Sequence, residues 1–201
     1  MIVKMTEDHI DRVIDIHIEC FKDAFLTSLD RDVLTCMYNN YISSELGCAY
    51  VYIIHETILG FIVGTVNPSV YYNQLLKKRG LRFLWLTLKR VIRNPQILKG
   101  IAKKDFSGFF RPNESEESYR RASLDSIAVK PEYWGTGIAQ KLTEVFLNDL
   151  KKRGVSELYL GVTATNVRAK RFYEKMGFKN IRTNVDNYGK EANIYKLTIS
   201  G

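Results

Sequence analysis

An apolar run, Ile127-Ala128-Val129, passes through Lys130-Pro131-Glu132-Tyr133-Trp134 into Gly135-Thr136-Gly137-Ile138-Ala139. The pattern predicts a strand, a glycine turn and a helix start. That order of elements aims unpaired backbone N–H groups, and the positive end of a helix dipole, at one point where a phosphate can sit. The expected donors are the backbone N–H groups of Trp134, Gly135, Thr136, Gly137, Ile138 and Ala139, which side-chain substitution does not delete. Glycine permits the turn and lets an anion approach without meeting a Cβ. The alternative is a plain strand-to-helix turn with no ligand. A second segment, Asn166-Val167-Arg168-Ala169-Lys170-Arg171-Phe172-Tyr173-Glu174-Lys175-Met176-Gly177-Phe178, places an amide before a predicted helix. Asn166 can cap that helix, and Tyr173 can be an aromatic of the core face beside Phe172.

The elements that must position these residues follow from periodicity. Residues 1–5 alternate as an edge strand, and Ile10, Val13, Ile14, Ile16, His17 and Cys20 mark a helix over 8–21. A second helix is expected over 30–41, with Asp30 as its cap and Val33, Leu34, Met37, Tyr38 and Tyr41 on one face. Runs 49–55 and 58–66 read as a hairpin about Glu56-Thr57, and 124–129 as a further strand. The helix over 137–152 carries Ile138, Leu142, Val145, Phe146 and Leu150 on one face. It ends at Lys151, Lys152, Arg153 and a left-handed Gly154. Strand 157–162, helix 166–176 and strands 178–184 and 193–199 complete the chain, the last two joined around Asn187-Tyr188-Gly189. The layout is mixed α/β or α+β with a sheet at its centre.

Residues 67–121 break this rhythm as an insert within a single domain spanning 1–201. Leu81, Leu84, Trp85, Leu88, Val91 and Ile92 form a helical stripe flanked by Arg82, Lys89 and Arg93. Asn94-Pro95 can start a short helix to about residue 104, and the polar tract 111–118 reads as a loop. The net charge of +8 is local, because ten basic residues and no acidic one lie between Lys77 and Lys104, leaving the rest of the chain at −2. This segment reads as a solvated face, a lid over an acidic acceptor, or a foot on an anionic membrane. No stacking platform accompanies the charge, so nucleic acid is not expected. The three cysteines, Cys20, Cys36 and Cys48, have no C-x-x-C spacing and read as core residues rather than a disulfide framework or zinc site. No signal peptide or membrane span is visible, and a cytoplasmic location is expected.

Together the two segments resemble the GCN5-related N-acetyltransferases, which move an acetyl group from acetyl-CoA to an amine. The resemblance covers most of the chain outside the insert and is most specific over 124–178. It implies a central, mostly antiparallel mixed sheet flanked by helices, acetyl-CoA as cosubstrate, no metal, and direct attack of an amine on the thioester. It further implies a bulged, splayed strand before the turn, on which Ile127 and Val129 offer backbone contacts to the thioester carbonyl and the pantetheine arm. Asn166 would bond that arm, and Tyr173, protonated at neutral pH, would donate to the departing thiolate. Asp125 lies where many members of the family place a carboxylate, and alternation puts it on the face of Ile127 and Val129. It is the expected general base, ahead of Glu19, Asp23 and His55. One position departs from the family's Q/R-x-x-G-x-G/A turn: Glu132 stands where Gln or Arg is usual and sets a carboxylate near the pyrophosphate. The acceptor, a small molecule or a protein, stays open, as does a homodimer. A non-catalytic acyl-CoA-binding or regulatory domain is the competing reading, and a protein built to bind anionic surfaces through the insert is a third.

Overall fold

The computed structural model describes residues 1–21, 31–93, 120–185 and 191–199. Seven strands form one sheet in the order β1-β2-β3-β4-β5-β7-β6. They are β1 (Ile2–Lys4), β2 (Gly47–Ile54), β3 (Thr57–Val66), β4 (Arg121–Val129), β5 (Glu157–Thr163), β6 (Lys179–Val185) and β7 (Glu191–Thr198). Among the described strands, only β4 and β5 pair in parallel. That is the connection a crossover helix requires, and α4 (Ile138–Lys152) supplies it. Helices α1 (Ile10–Cys20), α2 (Arg31–Ser43) and α3 (Pro68–Arg93) precede α4, and α5 (Val167–Lys175) follows β5.

The helices cover the two faces of the sheet. On one face, Ile138, Leu142, Phe146 and Leu150 recur every fourth residue along α4 and pack against Ile62, Leu124, Leu158 and Tyr173. On the other, Val13 and Ile14 of α1, Leu34, Tyr38 and Tyr41 of α2, and Tyr71 at the start of α3 cover Val51, Phe61, Val63 and Ala128. β3 is buried from Ile58 to Val66 because both layers press on it. Removing a ring such as Phe146, which has no exposed surface, costs about 3–5 kcal/mol in a core of this kind.

Local sequence sets the corners. The β2–β3 turn is His55-Glu56, both at positive φ (43° and 64°), the conformation a two-residue hairpin favours. The cap of α5 is Asn166, whose Oδ1 accepts from the Ala169 N–H at 3.1 Å, and α4 ends as expected at Arg153 and a left-handed Gly154 (φ 74°). The insert begins differently from the expectation. Rather than a helix that starts near Leu81, α3 runs without a break from Pro68, so its first turns pack under the sheet through Tyr71, Tyr72 and Leu75. Pro68 at the first helical position is compatible with this, since it lacks the N–H that a helix start leaves unpaired. Asp30, Asp23, the short helix after Asn94, the tract 111–118 and the Asn187-Tyr188-Gly189 turn lie outside the described residues. No described helix is long and apolar enough to cross a membrane.

Candidate active site

β4 and β5 are bonded only from Arg121 to Ser123 and from Glu157 to Tyr159. Beyond those residues the two strands part. The cause lies in β4: its register with β3 slips between Val63, which faces Ser126, and Gly64, which faces Leu124. Asp125 is therefore the extra residue of a β-bulge, and a bulge bends and twists its strand. Gly64 makes the close approach there, because a Cβ at this position would lie 2.2 Å from the Ser123 carbonyl oxygen and 2.6 Å from the Phe146 ring.

The parting leaves backbone groups on the gap side of β4. The Lys130 N–H bonds to the Leu59 carbonyl at 2.9 Å, and Ala128 pairs with Phe61. Since successive residues alternate in direction along a ladder, the N–H and C=O groups of Ile127 and Val129 point away from β3 and toward the gap. The Val129 carbonyl is not free, for it accepts from the Trp134 indole N–H at 2.7 Å and from the Cys20 thiol at 3.4 Å. Its N–H remains.

At the top of the gap a short 3-10 turn (Pro131–Tyr133) leads to Gly135 and Gly137, both left-handed at φ 81° and 82°. Space around both is open, with nothing within 4 Å of a Cβ built on either. The Trp134 and Thr136 N–H groups, expected among the cradle donors, bond instead to Pro131 (3.2 Å) and Tyr133 (3.4 Å) carbonyls within the turn. The reason is the 3-10 geometry, which closes i to i+3 bonds. Gly135, Gly137, Ile138 and Ala139 keep N–H groups without an acceptor among the described residues, and the first helical bond runs from Lys141 to the Gly137 carbonyl. The turn thus fits a phosphate with four of the six expected donors. Glu132 is exposed on the 3-10 turn.

The bulge corrects one expectation. Alternation would set Asp125 on the face of Ile127 and Val129, but the extra residue turns it to the opposite face, beneath α2 and α3. There the Tyr41 hydroxyl donates to its carboxylate at 3.0 Å, the Ser123 hydroxyl donates to the other oxygen, and Tyr72 hydrogen-bonds it as well. Burial pushes the Asp125 carboxyl up to about 6, against the three hydroxyls that favour its charged form. On the same face of the sheet, His17 of α1 meets the Tyr38 hydroxyl at 2.7 Å through Nδ1. Burial lowers its pKa to about 4, so it is neutral, and its Nε2 is buried without a partner among the described residues.

Tyr173 is only 6% exposed and packs against Phe172, Phe178 and Tyr195. Burial raises its pKa well above the usual phenol value, which keeps the proton on the oxygen. Asn166 occupies its Oδ1 in capping α5. The cap and a ligand need not compete, because the amide nitrogen of the same side chain remains a donor. Of the weaker base candidates, His55 lies exposed in the β2–β3 turn and Glu19 is exposed at the end of α1. Sequence reasoning did not single out Tyr41, Tyr72 or Ser123, nor Arg168, whose guanidinium lies 3.3 Å from the centre of the Trp134 ring. Apolar periodicity marks Tyr41 as core and hides its hydroxyl. The arginine falls within the second segment, where its spacing says nothing of Trp134.

A model of the acetyltransferase (GNAT) family matches residues 10–178. The chain belongs to this family, a class of acetyl-CoA-dependent N-acetyltransferases. Over 84 residues it is 43% identical to the [ribosomal protein bS18]-alanine N-acetyltransferase of Escherichia coli K12, a match covering 39% of this chain and 57% of that protein. Over 58 residues it is 41% identical to N-alpha-acetyltransferase 30 of Schizosaccharomyces pombe, covering 29% of this chain and 39% of the relative. The chain thus spans little more than half the length of the first of these relatives, and less of the second. A Salmonella typhimurium protein solved with its cofactor acetyl-CoA aligns over 100% of this chain and 94% of its own, with a TM-score of 0.66 at 11% identity. The fold is shared.

Proposed function

We propose that this chain transfers the acetyl group of acetyl-CoA to the α-amino group of a polypeptide, with the amine attacking directly in a ternary complex. The observation that carries the reading is the gap: β4 leaves β5 after Ser123, and the free N–H groups of Ile127 and Val129 then lead toward the Gly135–Ala139 turn. An extended, polar arm ending in a diphosphate matches a half-strand that leads to an anion cradle. The choice of an α-amine as acceptor rests on two relatives named for N-terminal and alanine acetylation.

Acetyl-CoA supplies an activated acetyl thioester. The N–H groups of Ile127 and Val129 are the donors that a polarising thioester carbonyl would use. An α-amino group has a pKa near ~8, so most of it is protonated at neutral pH, but losing that proton costs only about 1.4 kcal/mol. Asp125, with a carboxyl pKa of about 6, is largely ionised there and accepts that proton. Tyr173 holds its proton and gives it to the sulfur as the C–S bond breaks and the C–N bond forms. Asn166 contributes an amide donor to the arm, and the N–H groups of Gly135, Gly137, Ile138 and Ala139 receive the diphosphate.

Incubation with acetyl-CoA and a panel of amines tests this. Free thiol should appear with peptides bearing an unblocked N-terminus, and little with polyamines or amino sugars. Thiol release with amino sugars alone would move the acceptor to another class. Retained acetyl-CoA binding with no release for any amine would favour a non-catalytic acyl-CoA-binding domain.

A further inference from the structure

We infer that Arg168 is a binding residue for the diphosphate of the acetyl donor, held beside the Gly135–Gly137 turn by its stack on Trp134. The inference rests on the acetyl-CoA reading above and goes beyond it in naming a cation that the glycine turn itself lacks.

Arg168 stands in the first turn of α5, on the far side of the gap from the cradle. Its guanidinium lies over the Trp134 ring, 3.3 Å from the centroid. Trp134 adjoins Gly135 in sequence and is itself fixed by the 2.7 Å bond from its indole N–H to the Val129 carbonyl. The stack therefore joins the end of β4 to the start of α5 across the mouth of the gap. A guanidinium that covers an aromatic ring uses its face and keeps its in-plane N–H donors for a planar or tetrahedral oxyanion. Those donors are unclaimed: Arg168 makes no ion pair with any described carboxylate.

Carboxylates lie close to this stack. The Cys20 thiol, bonded to the same Val129 carbonyl, lies within electrostatic reach of Glu19, Glu132 and Arg168 together. Two carboxylates thus flank the end of β4, where a diphosphate would arrive. Glu132 sets one of these carboxylates on the 3-10 turn that leads to the cradle, and Arg168, stacked on Trp134, supplies a cationic contact beside it. A stack on an exposed tryptophan contributes only about 0.5–1 kcal/mol by itself, so a purely structural role would leave ligand affinity unchanged.

Isothermal titration of acetyl-CoA and of 3′-dephospho-CoA into the wild type, R168Q, R168K and E132Q tests the inference. Circular dichroism of the exposed-site variants should match that of the wild type. R168Q should weaken acetyl-CoA binding by roughly tenfold, the scale of one charged hydrogen-bond contact. R168K should fall between the two, and E132Q should bind more tightly than wild type. The R168Q loss should be the same with 3′-dephospho-CoA, since the contact is to the diphosphate. Equal affinity of R168Q and wild type for acetyl-CoA would overturn the inference, as would a loss seen only when the ribose 3′-phosphate is present. If the wild type itself binds no acetyl-CoA, the reading on which the inference rests fails first.

Discussion

The Tyr41 hydroxyl donates to the Asp125 carboxylate at 3.0 Å, linking the last turns of α2 to the bulge in β4. It supports the charged form of a carboxyl that burial has raised to about 6. D125N should therefore lower kcat by about 10²–10⁴-fold, the usual contribution of a positioned base. The wild-type rate should rise with pH on an acid limb near 6. Y41F removes one stabilising donor, so the same limb should move to higher pH in a kcat profile while acetyl-CoA affinity holds.

Two buried groups work against each other in acid. His17, lowered to about 4, is neutral in the fold and takes up a proton in the unfolded chain first, so stability is lost as pH falls from about 6.5 to about 4. The full loss is on the order of 3 kcal/mol. Asp125 has the opposite sign, because its raised folded pKa makes the native state bind a proton first between about 6 and 3.8. Denaturant titrations at pH 7 and pH 4.5 should show a small net change in the wild type, a larger loss in D125N, and a gain in acid for H17F.

Tyr173 keeps its proton at rest, since burial holds its phenol well above the ordinary range. Y173F should keep the core intact, because the ring packing against Phe178 and Tyr195 survives. Turnover should fall by about 10²-fold or more with acetyl-CoA affinity nearly unchanged, as a comparison of kcat with a directly measured Kd will read.

Gly64 is where the bulge has least room. G64A puts a methyl against the Ser123 carbonyl and the Phe146 ring, and overpacking of this kind costs about 1–3 kcal/mol. The thermal midpoint should drop. Activity should fall further than the loss of folded protein explains, because Ser123 and Asp125 shift with the strand.

Much of this was legible in the chain. The fourfold spacing along α4, the Asn166 cap and the Gly135-Thr136-Gly137 turn follow from local rules, and the structure places each of them as those rules predict. The face of Asp125 was not legible. Period-two alternation assumes a regular ladder, and one unpaired residue opposite Val63 and Gly64 reverses its outcome downstream. The same limit hid the enclosure of Asp125, since Tyr41 and Tyr72 reach it from two helices separated in sequence from β4 by tens of residues. α3 was misread at its start for a simpler reason. Its first turns carry Tyr71, Tyr72 and Leu75 rather than the aliphatic stripe that marks its later ones.

The most direct test pairs two peptides of one alanine-led sequence containing an internal lysine. One has a free α-amine and a blocked lysine side chain, and the other has a blocked α-amine and a free lysine. After incubation with acetyl-CoA, mass spectrometry should find one acetyl group on the α-amine of the first peptide, with an equal amount of free CoA, and almost none on the second. Acetylation of the lysine peptide alone, or of neither peptide while acetyl-CoA binds normally, would contradict the account.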